Sequence, residues 1–428
     1  MSPRKVVFFR SLRDKPLSIK SNRDNRAGPQ RITRRDFLKL ISATAVSPLI
    51  GCNSTQRVDD TLALTNGILI DGTGADAVPD GAIVIRDGRI VSAGPRAQLA
   101  IPADANIIDV QGGTILPGFI NAHVHAAYSA FTLKAWAKGG VTTVRDLGAF
   151  GIYKRPNFVT RDTLNANPKC ARLFAVGSFI NAEGGYPMAY FGGHVVSVTS
   201  PAEARQAVNK LIDDGADVIK TAMESGYAFG QSGWPLLSPE EATALVDTAH
   251  ERGKPVTAHV TSARDLERAL DAGVDEIAHM VVDKLSEQLI SRIVETGTRW
   301  VPTLELWQGV SRKYPISHGS MAIKNLALFV EAGGEVVLGT DYAGARQVDF
   351  DLGMPIQEIE WMQEAGMTPL QIIVAATRNG ARSCNIEREL GTLEKGKLAD
   401  VLVVDGDPLA DVHALTKARL IVREGKSI

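Results

Sequence analysis

"SPAEARQAVNKLIDDGADVIKTAME", Ser200 to Glu224, is the stretch on which the fold turns. Ser200 supplies an N-cap for helical text over Pro201–Asp214, and Gly215 closes it with the residue type helices favour there. Asp217–Met223 then reads as a short, mostly apolar strand. One residue in it is out of place. Taking an ammonium out of water costs several kcal/mol or more, so a lysine at position 220 must either find a partner or lose its charge.

The same helix-then-strand unit recurs on both sides. Further strands are expected at Ile115–His125, Thr142–Leu147, Arg172–Phe179, Pro255–Val260, Glu276–Met280, Trp300–Leu306 and Val336–Asp341. Helical text at Pro239–Arg252, Ala263–Ala272, Ser286–Thr296 and His318–Ala332 separates many of them, with Ser238 and Ser262 as further N-caps. Eight strands alternating with helices predict an α/β fold, a (β/α)8 TIM barrel. A doubly wound sheet is the competitor, and no Gly-x-Gly-x-x-Gly loop follows an early strand to favour it.

Outside this region the texture changes. Thr61 to Asp109 is turn-rich and strand-like, with Asn66-Gly67, Asp71-Gly72 and Asp87-Gly88 as hairpin signals. Similar text returns in "GKLADVLVVDGDPLAD" and "ARLIVREGK", so both ends are expected to build one small β-sandwich domain. The expected divisions are 1–52, 61–112 (β-domain, first part), 113–385 (barrel) and 386–428 (β-domain, second part).

Residues 1–51 carry 12 Lys and Arg against 3 Asp, a net of +9, while the remainder carries −10. "TRRDFLK" resembles a bacterial twin-arginine export signal through Arg34 and Arg35, and "LIGC" resembles a lipobox ending on Cys52. The expectation is an exported, periplasmic or cell-envelope protein. It would touch a membrane only through a lipid anchor on Cys52, since no apolar run reaches the ~18 residues of a spanning helix. Cys170 and Cys384 are left, either paired or as two buried thiols. A mature chain of net −10 without a basic stripe gives no reason to expect nucleic acid; a homo-oligomer stays open.

The chemistry-bearing residues fall at strand ends. "PGFINAHVHAAY" (Pro117–Tyr128) sets His123 and His125 two apart, and period-two geometry turns both rings to one face. "PVTAHV" ends on His259, "DEIAHM" carries His279, and "VVLGTDY" places Asp341 at the end of the last strand. A lone His-x-His is weak evidence, but barrel active sites sit at the C-terminal ends of strands, where all of these converge with Lys220.

These motifs, with "GTLEKGKLADVLVVDGDP", resemble the amidohydrolase superfamily, its binuclear imidazolonepropionase-like and Xaa-Pro dipeptidase-like branch, over Thr61 to Lys426. The resemblance implies two divalent metals, Zn2+ foremost, with His123, His125 and Asp341 on one and His259 and His279 on the other. It gives Lys220 a role as a CO2-derived carbamate bridging them. It implies hydrolysis of an amide, peptide-like or N-acyl amino acid, by a hydroxide shared between the metals, with Asp341 as the catalytic proton carrier. His194 and Tyr227 are candidate substrate contacts. Three other readings stay open: a mononuclear cyclic-amide hydrolase or deaminase, a lactonase or phosphotriesterase, and a metal- or solute-binding lipoprotein. Ser262, three residues beyond His259, stands where deaminases often carry Glu, and the flanking β-domain is foreign to phosphotriesterases.

Overall fold

The computed structural model of the protein describes residues 61–148, 158–193, 195–344 and 348–428. The export signal, Cys52 and His194 lie outside them. No helix among the described residues is long and apolar enough to cross a membrane.

The first and last described segments of the chain meet in one eight-stranded sheet. Its order runs Lys426–Ser427, Ala418–Arg423, Val401–Val404, Thr114–Pro117, Leu62–Leu69, Val78–Arg86, Arg89–Pro95, with Asn106–Asp109 also pairing with Leu62–Leu69. Leu64, Ile83, Ile115, Val401 and Val403 give it a core of its own. Asp87-Gly88 forms the expected tight turn, both residues at positive φ, between Val78–Arg86 and Arg89–Pro95. Asn66-Gly67 does not turn the chain: it is a register shift inside Leu62–Leu69, with Asn66 at φ 61°.

The middle of the chain is parallel. Ile219–Met223, Val256–Val260, Glu276–Ala278 and Arg299–Val301 form one four-stranded sheet, and Phe119–Val124, Val141–Asp146 and Arg172–Ala175 a three-stranded one. Single parallel bridges pair Trp300 with Val336 and Val124 with Tyr342. Helix Pro201–Asp214 is capped by Ser200, whose side chain accepts from Glu203 N–H, and ends on Gly215 at φ 114°. Ser238 and Ser262 cap Pro239–Glu251 and Ala263–Asp271 in the same way. The helices bury Leu211, Leu245, Leu266 and Ile293 with the strands' Val141, Ile219, Val256 and Ile277 in one large core.

Three expected strands are corrected. Ile115–His125 is two strands in two sheets, broken at Gly118, where a Cβ would meet the Thr142 side chain at 2.3–2.9 Å. Only Arg299–Val301 survives of Trp300–Leu306. Thr303 takes φ 50°, and helix Leu304–Lys313 begins there because the buried Glu358 carboxylate accepts from Leu304 N–H (2.9 Å) and Glu305 N–H (2.7 Å). Val336–Asp341 keeps two bridges at its edges and no ladder. Cys170 and Cys384 are buried, unpaired thiols.

Candidate metal centre

Five of the expected residues gather at the C-terminal ends of the parallel strands. His123 Nε2 lies 3.1 Å, and His125 Nε2 3.0 Å, from the same Asp341 oxygen, Oδ1. The two ring nitrogens are 3.3 Å apart. The His279 ring centre is 4.7 Å from that of His123 and 4.5 Å from that of His259. His123, His279 and Asp341 offer ligand atoms that all lie within 4.8 Å of one another.

Local structure fixes this set. Asn121 crosslinks its strand to the Asp341 turn, donating to Thr340 Oγ1 (3.0 Å) and accepting from His123 N–H (3.2 Å). Gly339 cannot bear a side chain, since a Cβ would sit 2.8 Å from that of His123. His279 and Asp341 adopt φ 72° and 61°, a left-handed backbone that few non-glycine residues hold and that concentrates at functional sites. His125 Nδ1 meets the Gly148 carbonyl at 2.6 Å and His279 Nδ1 the Thr303 hydroxyl at 3.0 Å, so each ring turns Nε2 inward.

The charge states suit a cation. Burial pushes His123 down to about 3, and it lowers His259 and, with neighbouring His259, His279 below the ordinary imidazole range. His125 alone moves up: burial opposes its charge, but Asp341 and Asp146 outweigh it. Burial would also raise the Asp341 carboxyl, and the rings of His123, His125 and His279 reverse this, holding it well below the carboxylate range. Neutral imidazoles at His123, His259 and His279 around an anion are donors of the kind that a divalent metal requires.

Lys220 sits in the interior beside them, 1% exposed. Its Nζ has no hydrogen-bond partner and stands 5.6 Å above the Phe179 ring. Burial, then the nearby Arg145 guanidinium, lowers its ammonium to about 7, so a large share of the amine is uncharged near neutrality. His123 Nδ1 is likewise buried without a hydrogen-bond partner. A buried amine and a buried ring nitrogen left unsatisfied beside this cluster fit a metal centre.

Two residues absent from the expected set belong to the neighbourhood. Glu224 is fully buried, with Oε2 3.3 Å from His259 Nε2, and Tyr186 stacks on the His259 ring with centres 4.0 Å apart. Tyr186 opens a row of aromatics through Phe229 and Trp234. Period two would have placed Glu224 on the face of Lys220. Tyr186 lies in a loop with no periodicity to read. Tyr227 is 48% exposed and makes no described contact with the histidines. Trp300 is core: fully buried, edge-on to Phe329, its Nε1–H donating to the His279 carbonyl at 2.6 Å.

An α/β protein with imidazoles and a carboxylate converging at strand ends belongs to the class of metal-dependent hydrolases. Residues 114–426 match the Amidohydrolase family, and the chain is a member of it. It is 25% identical over 409 residues to an imidazolonepropionase from Symbiobacterium thermophilum, covering 82% of this chain and 92% of that one. An ochratoxinase from Aspergillus niger is 25% identical over 421 residues, 84% of each chain. The solved structure of a Xaa-Pro dipeptidase with methionine bound in its active site matches at TM-score 0.74 and 27% identity, over 86% of this chain and 99% of that one. The protein is a hydrolase acting on carbon–nitrogen bonds, in a family that depends on metal.

Proposed function

We propose that this protein hydrolyses an amide bond in a peptide-like or N-acyl amino acid substrate, using two divalent metals, Zn2+ foremost, and a carbamate on Lys220. The observation that carries this reading is the convergence of His123, His125 and His279 on Asp341 beside a buried lysine whose amine has no hydrogen-bond partner. His123, His125 and Asp341 would hold one metal, His259 and His279 the other. The uncharged Lys220 amine adds to the carbon of CO2 and loses one proton, leaving an anion with two oxygens where a cation would be costly. Metals bound there would polarise the amide carbonyl and bring the pKa of a water toward neutrality. Asp341 would take the proton of the attacking water and return it to the amine nitrogen as the C–N bond breaks. Tyr186, whose hydroxyl is raised well above the phenol range by burial and by the charges of Asp341 and Glu224, stays protonated beside His259.

The architecture we infer is a (β/α)8 barrel within residues 113–385, closed between Arg172–Ala175 and Ile219–Met223, flanked by a small β-domain from 61–112 and 386–428 whose single sheet also takes in Thr114–Pro117. Asp217 supports that closure, its N–H donating to the Ala175 carbonyl (2.9 Å) and its carboxylate accepting from Ala175 N–H (2.8 Å). A mononuclear centre is the second reading. It is favoured by the compactness of His123, His279 and Asp341 as a three-ligand set.

The test is a screen of metal-loaded protein against dipeptide and N-acyl amino acid libraries, with metal content measured on the same sample. About two metals per chain with turnover of either class supports the binuclear amide hydrolase. About one metal, with turnover of cyclic amides or aminated rings alone, supports the mononuclear reading.

A further inference from the structure

The hydrogen bond of His259 differs from those of its neighbours. His125 and His279 spend Nδ1 on a carbonyl and a hydroxyl; His259 instead turns Nε2 to a carboxylate, Glu224 Oε2, at 3.3 Å. Glu224 is 0% exposed, and its own position is fixed on every side. Oε1 accepts from Gly226 N–H at 2.6 Å, and Oε2 also accepts from the Thr261 hydroxyl. The next residue, Ser225, is clamped through its N–H (3.0 Å) and hydroxyl (2.6 Å) by the buried Asp265 carboxylate. Thr261 in turn lies two residues beyond His259 on the same strand end. Glu224 therefore ties the strand of Lys220, the turn leading to Phe229 and Trp234, and the strand of His259 into one unit.

We propose that Glu224 is a positioning residue of the centre, which holds the proton of His259 on Nε2 and thereby makes Nδ1 the nitrogen that this ring offers to a metal. A carboxylate can only accept, so the nitrogen facing it must be the protonated one. The lone pair is then on the other side of the ring, and the carboxylate raises its basicity as outer partners of metal-bound histidines do. A tautomer fixed in the metal-free protein means that no ring flip is needed when the metal enters. The inference rests on the binuclear reading for the metal's presence, but not for the tautomer.

Nitrogen-15 NMR of the metal-free full chain with labelled histidine tests it directly. His259 is assigned by the signal missing from His259→Asn. The expected spectrum shows His259 protonated on Nε2; protonation on Nδ1 overturns the proposal. Zinc titration is the second arm. Glu224→Gln, which cannot accept at every one of these contacts, is expected to bind the second zinc about 10- to 100-fold more weakly while the first binds as before. Thr261→Val, which leaves the carboxylate in place, is expected to shift that affinity less. Both zincs binding to Glu224→Gln and Glu224→Ala with unchanged affinity would overturn the proposal. Should the unsubstituted protein take up only one zinc, the binuclear reading fails, and the His259 spectrum still decides the role of Glu224.

Discussion

Arg145 and Lys220 are two cations in the same interior, each 1% exposed, and they are treated in opposite ways. Arg145 is bonded through all three of its nitrogens: Nε donates to the Ala122 carbonyl (2.6 Å), one terminal nitrogen to the Ser383 carbonyl (2.7 Å), and the other to the Glu276 carboxylate. Glu276 also accepts from the Ser383 hydroxyl, and although burial opposes its charge, Arg145 and Arg299 hold its carboxyl below the ordinary value. Lys220 has none of this. A buried charge that serves structure is paired and hydrogen-bonded, because an unpaired one is costly. A buried amine without partners is a cost, and such a group in a cleft is a candidate for function rather than for holding the fold. The two residues separate what holds the fold from what the site needs.

Substitutions should pull that contrast apart. The largest effect is expected at the site itself: Asp341→Asn keeps the shape but removes the anion and the proton carrier, and should lower kcat/KM about a thousandfold or more with folding intact. Arg145→Met comes next. It leaves Glu276 buried without its ion-pair partner and should cost about 3 kcal/mol in urea unfolding, against an untouched metal set. Lys220→Met should do the reverse, abolishing carbamate formation while the metal-free protein becomes about 1 kcal/mol more stable or stays level.

The pH response of that metal-free protein sharpens the point. Native Lys220 releases its proton near 7, whereas the unfolded chain keeps it to about 10.5. Between those values the unfolded state binds more protons, so stability rises with pH across the window and is flat for this group below it. Lys220→Met should remove that rise. The smallest effect is the control: Lys210→Ala breaks an exposed pair with Asp214 (2.8 Å) and should change stability by no more than about 0.5 kcal/mol.

Much of this was legible in the sequence, for reasons that particular residues make plain. The helices Pro201–Asp214 and His318–Glu331 carry enough turns for period and caps to locate them. His123 and His125 declared a shared face by their spacing, and the strand-end positions of His259, His279 and Asp341 followed from the alternation. Short strands with single bridges, such as the run from Val336 to Asp341, have no period to count. Thr303 begins a helix because Glu358, 55 positions later in the chain, caps it, and no local pattern announces that partner. Glu224, four positions beyond Lys220, was within reach of the period-two argument applied to His123 and His125; Tyr186, in a loop, was not. Substrate contacts resist sequence reading for the same reason, since loops place them by tertiary packing.

The central claim is that the Lys220 amine becomes an anion and joins two metals. Metal-loaded protein prepared in carbon-13 bicarbonate can be examined by NMR for a carbamate carbon, with metal counted on the same sample, beside Lys220→Ala. A carbamate signal with about two metals per chain, both reduced in the variant, is the predicted result. A free amine at Lys220 with the same metal content in both proteins would contradict it.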